Sequence, residues 1–404
     1  MVDIVDSAKW LVKDAVLGIE LPRRYARAAA RTSVDPKKAL FVNGKLDDVP
    51  DAFNIIMPYL EQRYGMDVHF VGLGQQTCGN SEYHRRCQRF VDELAGAAYV
   101  FLEDASDIVS CVPLRPETKA VQLWHACGAF KKWGMSTAEL KFGNTGKNIQ
   151  RHPFYANLSL VTVSSPEVEW AYREAMMLED TPDVVRAVGV SRTDVYFDAG
   201  FEHASREWLH AKFPEIGQRK VAFYAPTFRG TTKQAKGPDE LDICYLREQL
   251  GSEWTLVIKH HPFVKNPPAI PAECGDFAFQ AGPDDPTDSL LVCADALVTD
   301  YSSVVFEYSL LERPMAFFAY DLDDYNDWRG FYYDYDDMTP GPIVRTTEEL
   351  ALFLQGLGAL AESDGVKSGF DRACVSSFRQ KFMSACDGHA TERICRLIME
   401  GRGD

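Results

Sequence analysis

The sequence has no stretch of apolar residues long enough to cross a bilayer. A transmembrane helix needs about 18 or more consecutive, predominantly apolar residues. Charged side chains interrupt every apolar run of this chain before that length. The first residues also lack the apolar core and cleavage site of a signal peptide. We therefore expect no part of the chain to span a membrane.

Paired cysteines at metal-binding spacing are also missing. The chain has ten cysteines, but no C-x-x-C sequence occurs. Because zinc and iron–sulfur sites commonly use such pairs, the sequence predicts no metal site. With 404 residues and 46% hydrophobic residues, the chain can bury sizeable cores without disulfides. We expect free thiols in a reducing cytoplasm.

Positive charge is scarce, since 43 Lys and Arg against 59 Asp and Glu give a net charge of −16. Nucleic acid requires a basic surface and is not an expected partner. The first 38 residues are an exception, with a net charge of +3 and apolar residues at helical spacing. We predict that this leader is a helix that lies on an anionic membrane or packs on its own domain. The side chains suited to a membrane are Trp10, Leu11, Arg23, Arg24, Arg27 and Arg31.

Short β-prone segments alternate with helical patterns along the chain. The predicted strands are residues 39–43, 68–71, 98–102, 120–124, 160–164, 187–190, 221–225, 256–258, 297–299 and 315–318. A helix is predicted for residues 49–63, with Pro58 as a kink. This alternation is typical of parallel sheets that are covered by helices on both faces. The predicted fold class is α/β, with two facing Rossmann-like, doubly wound domains and a helical C-terminal tail.

The strand pattern restarts near residue 206, which divides the chain. We predict the leader at 1–38, one Rossmann-like domain at 39–205 and a second at 206–370. The helices of residues 371–404 are expected to pack back on the N-terminal domain. Two facing domains of this kind would bring the carboxyl ends of their strands to one cleft, where ligands bind in such sheets.

The segment from Leu297 to Tyr308 runs from an apolar strand through a polar turn into a helix. Asp300, Ser302 and Ser303 occupy the turn. The free N–H groups and the dipole of a helix start favour an anion such as phosphate. The same residues would also make an ordinary well-capped helix, and both interpretations stay open.

Histidines follow two of the predicted strands. His125 comes directly after Trp124, where a neutral imidazole could take a proton from an incoming hydroxyl, although a structural role is the alternative. His260 and His261 stand before Pro262. Adjacent side chains on an extended chain point to opposite sides, so only one of the two faces the cleft. We choose His261.

Three cations near loops, Arg229, Lys259 and Arg329, suit a diphosphate, although each could equally be a solvated surface charge. The acidic sequence at residues 321–324 is similar to a D-x-D metal motif. No histidine or cysteine accompanies it, and we interpret it as a solvated loop.

Six motifs in a fixed order carry a resemblance to a known family. They are Gln122-Leu123-Trp124-His125 with Lys131, Tyr224-Ala225-Pro226-Thr227, Lys259-His260-His261-Pro262, Thr299-Asp300-Tyr301-Ser302-Ser303 with Glu307, Arg329-Gly330-Phe331-Tyr332, and Pro340-Gly341-Pro342. Over about residues 39–400 the chain resembles the CDP-glycerol glycerophosphotransferase family. These are the bacterial primases and polymerases of teichoic-acid polyol phosphates.

The resemblance implies a glycosyltransferase-B type fold and a specific reaction. Glycerol phosphate would pass from CDP-glycerol to a hydroxyl of a lipid-linked glycan or polyol-phosphate chain, with release of CMP. The product would be a teichoic-acid-like or capsular cell-surface polymer. The enzyme would need no cofactor beyond its donor and would sit peripherally on the cytoplasmic face of the bacterial membrane.

The resemblance also implies roles for individual residues. His125 matches the acceptor-side base, and His261 matches the histidine at the donor pyrophosphate. The implied substrate-binding residues are Trp124, Lys131, Thr227, Arg229, Lys259, Asp300, Ser302, Ser303, Glu307 and Arg329. The alternatives are a ribitol-phosphate transferase using CDP-ribitol, a nucleotide-sugar-dependent glycosyltransferase of the same fold, and a catalytically silent module that binds lipid-linked glycans.

Overall fold

The computed structural model describes residues 10–138, 140, 145–231, 234–323, 330–359 and 370–401. These residues form two compact units. Unit 1 takes the described residues within Met1–Ala126, Trp133–Asp194 and Ala385–Asp404, and unit 2 takes those within Cys127–Lys132 and Val195–Ser384.

The regular elements alternate as an α/β protein requires. The strands are β1 (Asp35–Asn43), β2 (Asp67–Gly72), β3 (Ala97–Leu102), β4 (Lys119–Gln122), β5 (Leu158–Thr162), β6 (Val185–Arg186), β7 (Lys220–Ala225), β8 (Trp254–Ile258), β9 (Ala278–Gln280), β10 (Ala296–Thr299), β11 (Met315–Phe318) and β12 (Ile343–Val344). The α-helices include α1 (Leu21–Ala29), α2 (Ile56–Tyr64), α3 (Asn80–Leu94), α4 (Asp107–Cys111), α5 (Gly146–Arg151), α6 (Glu169–Met176), α7 (Ala199–Lys212), α8 (Ile243–Leu250), α9 (Thr287–Cys293), α10 (Val304–Ser309), α11 (Thr347–Ala359), α12 (Arg372–Phe382) and α13 (Ala390–Glu400).

The sheet of unit 1 has the strand order β2-β1-β3-β4-β5-β6, and all its pairings are parallel. Its strands read as apolar runs because both faces are covered, as in Ala39–Val42, which is fully buried. Phe41 stacks on Phe101 of the neighbouring strand at 4.4 Å between ring centroids. The strand order reverses between β1 and β3, and ligands bind beside such a reversal in doubly wound sheets.

The sheet of unit 2 has the order β12-β11-β10-β7-β8-β9, again with parallel pairings. Its strand order reverses between β7 and β10. The predicted α/β class with two doubly wound parallel sheets is confirmed. The sequence missed the two edge strands, β9 and β12, because three and two residues are too short to show a pattern.

Two other predicted elements differ from the structure. The predicted helix at 49–63 begins only at Ile56, after a short 3₁₀ turn at Asp51–Phe53. Pro58 therefore lies in the first turn of α2, where its missing N–H costs no hydrogen bond, and the helix continues through it to Tyr64. The predicted strand at 187–190 is not a strand, since β6 ends at Arg186.

The N-terminal leader is helical and packs on unit 1. Residues 10–15 are α-helical, Val16–Glu20 form a π-helical turn, and α1 follows. Leu17, Leu21 and Tyr25 are buried, and the Tyr25 hydroxyl accepts a hydrogen bond from the backbone N–H of Arg115 at 3.1 Å. The alternative that the leader packs on its own domain is therefore correct for one face of this helix. The other face is exposed.

The units divide the chain differently from the predicted domains. Residues 127–132 lie in unit 2, although they fall within the predicted N-terminal domain. The C-terminal helices do not stay together either. In unit 2, α12 packs on α10 through stacked Phe378 and Phe306, whereas α13 places Ile394 and Ile398 in the core of unit 1. The prediction that residues 371–404 pack on the first domain is therefore wrong for α12, because its apolar face is covered by unit 2.

None of the helices within the described residues is long and apolar enough to cross a membrane.

Candidate functional site

In unit 1, polar side chains meet at the reversal of the strand order. Lys45 follows β1, and Glu103 and Asp104 follow β3, the strand beside it. The Lys45 ammonium forms a salt bridge with Asp104. This pair ties together the two loops that border the position where a doubly wound sheet binds its ligand.

His125 is held at the same edge of the sheet by a buried glutamine. Gln122, the last residue of β4, donates from its side-chain nitrogen to the Asp104 carbonyl at 3.0 Å. Its side-chain oxygen accepts from the backbone N–H of Trp124 at 3.2 Å. This clamp fixes the turn that presents His125.

Trp124 has a backbone conformation that bulky residues rarely adopt, with φ at +62°. The conformation turns its ring onto His125, with 4.4 Å between centroids, and the Trp124 indole also contacts the ring of Trp133 at 4.6 Å. Strained residues of this kind cluster at functional sites. Trp124 therefore supports the His125 ring from one side.

The hydrogen bond of His125 decides which ring nitrogen is available. Nδ1 lies 3.0 Å from the carbonyl oxygen of Glu103. A carbonyl oxygen can only accept, so Nδ1 must carry the proton. In the neutral ring, Nε2 then has the free lone pair that a general base needs.

The electrostatic surroundings keep His125 neutral. His125 is exposed as a residue, yet desolvation by the surrounding protein lowers the pKa of His125, and Lys45 and Arg192 act in the same direction. The Asp104 charge and the bond to Glu103 oppose this shift. Burial, assisted by the Asp104 charge, raises the pKa of the Glu103 carboxyl to about 7. Lys45, Glu103 and Asp104 were not predicted, because no motif marks them and only the strand order brings them together. Gln122 belongs to the first motif, but no role was predicted for it.

In unit 2, the loops after β7 and β10 are joined through one buried carboxylate. Asp300 accepts from the backbone N–H and from the hydroxyl of Thr227, both at 2.9 Å. It also accepts from the Arg229 guanidinium at 3.0 Å. Both loops lie at the reversal of this sheet's strand order. Asp300 is only 1% exposed, so its carboxylate holds the two loops together from a buried position.

Arg229 is engaged by a second carboxylate. Its guanidinium donates to both oxygens of Asp321, at 2.5 and 2.9 Å, and the Tyr301 hydroxyl donates to Asp321 at 2.9 Å. Burial disfavours the charge, but the two carboxylates outweigh it and raise the pKa of Arg229. The interpretation of residues 321–324 as a solvated loop is wrong for Asp321, because a long-range ion pair holds it. Asp323 is exposed, and residue 324 lies outside the described residues.

The two adjacent histidines point to different surroundings. His260 is buried, and desolvation lowers its pKa. His261 is half-buried and lies against the rings of Phe228 and Phe263, at 5.0 and 4.6 Å. Its Nδ1 accepts from the backbone N–H of Phe263 at 3.2 Å. Nδ1 is therefore unprotonated, and the proton of the neutral ring is on Nε2, which makes His261 a hydrogen-bond donor.

Within the part of the chain that it describes, the structure does not bring the other predicted substrate-binding residues to one place. The Lys259 ammonium donates to the carbonyl of Asp285 and to the Thr287 hydroxyl, the latter at 3.0 Å. Lys131 pairs through its backbone with Phe331 in unit 2. Glu307 is buried in α10. Arg329 lies outside the described residues.

Ser302 and Ser303 are half-buried at the start of α10. Ser303 makes no side-chain capping hydrogen bond, and the Ser302 hydroxyl is 3.5 Å from the Val304 N–H, a weak contact. The capping interpretation therefore has little support. Because α10 has only six residues, its dipole adds little, and an anion would depend on these hydroxyls and on nearby N–H groups.

Two parallel doubly wound sheets, each with polar loops at its reversal of strand order, define a glycosyltransferase-B-like α/β protein. Comparison with known proteins specifies the family. The chain matches the CDP-glycerol:poly(glycerophosphate) glycerophosphotransferases over residues 24–400, and it belongs to this family. The resemblance drawn from the motifs is confirmed, and the chain is a transferase of the teichoic-acid primase and polymerase group.

Two curated relatives and one solved structure illustrate the relationship. The teichoic acid ribitol-phosphate primase of Bacillus spizizenii is 31% identical over 385 residues, which cover 93% of this chain and 94% of the primase. The teichoic acid poly(ribitol-phosphate) polymerase of the same organism is 37% identical over 323 residues, 78% of this chain but only 49% of the polymerase. The wall teichoic acid polymerase TagF has the same fold, with a TM-score of 0.73, 21% identity and coverage of 99% of this chain and 98% of that chain.

Proposed function

We propose that this protein transfers a polyol phosphate from a CDP-activated polyol to a hydroxyl of a lipid-linked or polyol-phosphate acceptor, in the synthesis of a cell-surface polymer. The first candidate donor is CDP-glycerol, which the family description names. The observation that carries the proposal is the pair of complementary histidines within such a family member. His125 donates from Nδ1, which places the lone pair of its neutral ring on Nε2, and His261 accepts at Nδ1, which places the proton of its neutral ring on Nε2.

Unit 1 supplies the acceptor-side chemistry in this proposal. His125 Nε2 takes the proton of the acceptor hydroxyl as that oxygen bonds to the phosphorus bearing the polyol. The bond from that phosphorus to the bridging oxygen breaks, and CMP leaves. Phosphoryl transfer asks a protein chiefly for positioning and charge stabilisation. The clamp by Gln122 and the stacking by Trp124 supply the positioning.

Unit 2 supplies the donor side. The His261 Nε2–H and the hydroxyls of Ser302 and Ser303 are the proposed ligands of the diphosphate. Asp300 and Arg229 are assigned a different role from the one implied by the motifs, because each already holds the other. They position the loops and do not need to touch the phosphates. The proposal requires no cofactor beyond the donor.

Ribitol phosphate is the second candidate. Both reported relatives from Bacillus spizizenii are named for ribitol phosphate, and the primase matches this chain over nearly its full length. The polymerase is about twice as long as the matched part of this chain. A primase-like reaction on a short lipid-linked acceptor is the version that the match to this primase favours.

The acceptor of such a reaction is tethered to lipid, and we propose that the exposed face of the N-terminal helix attaches the protein to the cytoplasmic leaflet. Leu11, Val12 and Ile19 are 68%, 64% and 50% exposed. Arg23 and Arg27, four residues apart on α1, follow Ile19 at the same spacing and are exposed, and exposed Arg31 lies in the turn just after α1. An apolar stripe followed by a basic one suits an anionic membrane surface.

Two predicted leader residues do not belong to this face. The Trp10 ring stacks parallel to His152 at 6.2 Å, and Arg24 donates to both oxygens of Asp92, at 2.8 and 2.5 Å. Both side chains dock the helix on unit 1 and are unavailable to lipid.

The reaction is tested by incubating the protein with CDP-glycerol or CDP-ribitol and a lipid-linked disaccharide, with mass spectrometry of the products. We expect one polyol phosphate to be added and CMP to be released in equal amount. UDP-sugars serve as the control for a glycosyltransferase. Sugar addition from UDP-sugars, or donor binding without CMP release from either CDP-polyol, would refute the proposal.

A further inference from the structure

Two cysteines of unit 2 bring their sulfur atoms together, far along the chain from one another. Cys244 lies in the first turn of α8, and Cys274 ends the short 3₁₀ turn that precedes β9. Their Sγ atoms are 2.7 Å apart. A disulfide bond measures about 2.05 Å, so the two atoms need to approach only slightly to form one.

The surroundings keep the two thiols adjacent. Arg247 of α8 donates to both carboxylate oxygens of Asp276, two residues after Cys274, at 2.6 and 2.8 Å. This forked ion pair joins the same two segments as the cysteines. The contact between Cys244 and Cys274 therefore joins α8 to the segment before β9, and the Arg247–Asp276 ion pair already holds these two segments together.

The two cysteines differ in exposure in the way that a stepwise oxidation requires. Cys244 is partly exposed, at the start of a helix, whereas Cys274 is completely buried. Burial, together with the neighbouring Cys244, raises the pKa of Cys274 to about 12. An external oxidant can therefore reach Cys244 first, and Cys274 is placed to react with the product.

We propose that Cys244 and Cys274 form a reversible disulfide when the protein meets a small-molecule disulfide. The Cys244 thiolate attacks one sulfur of the small disulfide, forms a mixed disulfide and releases one small thiolate. The Cys274 sulfur then attacks Cys244 Sγ and releases the second small thiol, which carries away the proton. Two protein thiols are oxidised, and one small disulfide is reduced to two thiols.

The cross-link would act on the edge of the second sheet. The residues are 30 apart, and the closed loop contains β8 and the Lys259–Pro262 turn that carries His261. It ties α8 to the segment entering β9, a three-residue edge strand paired only with β8 among the described strands. Short edge strands open locally at little cost in free energy. A cross-link that closes this loop lowers the conformational entropy of the unfolded chain and so stabilises the folded one.

The test treats the native protein with oxidised glutathione, then denatures it in an excess of alkylating agent so that every remaining thiol is blocked, buried ones included, before peptide mapping without reductant. We expect one peptide pair joined through Cys244 and Cys274, with the loss of two hydrogen masses. Cys374→Ser, which removes an exposed cysteine elsewhere in unit 2, should form the same bridge. Cys244→Ser should not. Alkylation of both cysteines, or a stable glutathione adduct on Cys244 with Cys274 alkylated, would overturn the proposal.

The consequence for the fold is measured on the same samples. The oxidised protein should melt about 5 °C higher than the reduced one. Reduction should reverse the shift, and Cys244→Ser should show none. Hydrogen exchange of the amides at Ala278–Gln280 should slow on oxidation. An unchanged melting temperature and exchange rate in a fully bridged sample would refute the role at the sheet edge.

Discussion

The carboxylate of Asp300 receives both the backbone N–H and the hydroxyl of Thr227, each at 2.9 Å. These residues follow β10 and β7, the two neighbouring strands at which the order of the second sheet reverses. The pair converts two loops into one rigid edge, next to Ser302 and Ser303. Arg229 supplies the positive charge that makes burial of this carboxylate tolerable, because an unpaired buried charge is costly.

Asp300→Asn should therefore destabilise the protein. The amide keeps one acceptor oxygen for Thr227, but it removes one of the two carboxylates that pair with the Arg229 guanidinium and leaves only Asp321. Removing one partner of a buried pair costs about 3–5 kcal/mol. Urea unfolding measures the change, and Asp284→Asn, at an exposed aspartate, should change stability by less than about 0.5 kcal/mol. A loss below about 1 kcal/mol for Asp300→Asn would show that the network is not needed.

Ser302→Ala with Ser303→Ala should separate donor binding from stability. Neither hydroxyl makes a strong capping bond, so we expect a stability loss below about 1 kcal/mol. Two lost hydrogen bonds to a charged phosphate should weaken donor affinity about tenfold or more. Calorimetric titration with CDP-glycerol and CDP-ribitol measures the affinity.

Ser106→Ala is the matched control for the serine pair, because the Ser106 hydroxyl caps α4 by accepting from the Val109 N–H at 3.2 Å. It should lower stability by about 1 kcal/mol and leave donor affinity unchanged. If the double variant behaves like Ser106→Ala, the two serines are only structural.

His125→Ala should abolish transfer while donor affinity stays largely intact. Loss of a general base lowers the rate by about 10²–10⁴-fold. CMP release under saturating donor and acceptor is the measurement. His203→Ala, at an exposed position of α7, is the control and should retain full activity. Near-native turnover of His125→Ala with an unaltered pH profile would remove His125 from the mechanism.

The pH dependence of turnover should report the surroundings of His125. The base works only as neutral imidazole, so the rate falls as the pH drops through its pKa. Because that pKa is lowered, the midpoint of the acid limb should lie below about 6.5. Asp104→Asn removes a charge that favours the imidazolium and frees the cation of Lys45, and both effects lower the pKa further. The acid limb should then move to lower pH. A shift to higher pH would contradict the assigned electrostatics.

The sequence predicted those parts of the candidate site that lie next to a strand in the chain. His125, His261 and the Asp300 turn could be recognised because a polar residue after an apolar run marks the carboxyl edge of a parallel sheet. The Lys45–Asp104 pair could not, since it depends on β1 and β3 being neighbours.

The ion pairs between residues far apart in the chain were not predicted, for a related reason. From the sequence, Arg229 was expected to bind a diphosphate and Asp321 was expected to be solvated. Each charge was considered without the partner that the fold provides. They are 92 residues apart and hold each other in the fold. Local patterns show where charge is present, but the register of distant strands decides which charge it meets.

The basic stripe of the N-terminal helix should provide salt-sensitive attachment to anionic vesicles. Deleting residues 1–32 would be a poor test, because it would remove the buried side chains of Leu17, Leu21 and Tyr25 from the core of unit 1. Replacement of Arg23, Arg27 and Arg31 by Gln leaves that packing intact. Each basic side chain near an anionic surface contributes about 1 kcal/mol, so the triple variant should bind about 100-fold more weakly.

Sedimentation with vesicles of mixed phosphatidylserine and phosphatidylcholine measures this binding. A control with the same charge change uses Lys265→Gln, Arg345→Gln and Arg372→Gln in unit 2, and it should bind almost as well as the unaltered protein. Leu11→Ser with Ile19→Ser should weaken binding even at high salt, because apolar burial is not screened. Activity on a soluble acceptor analogue should be unchanged in every variant. Equal binding by the arginine variant and the control would mean that the exposed face of this helix does not contact the membrane.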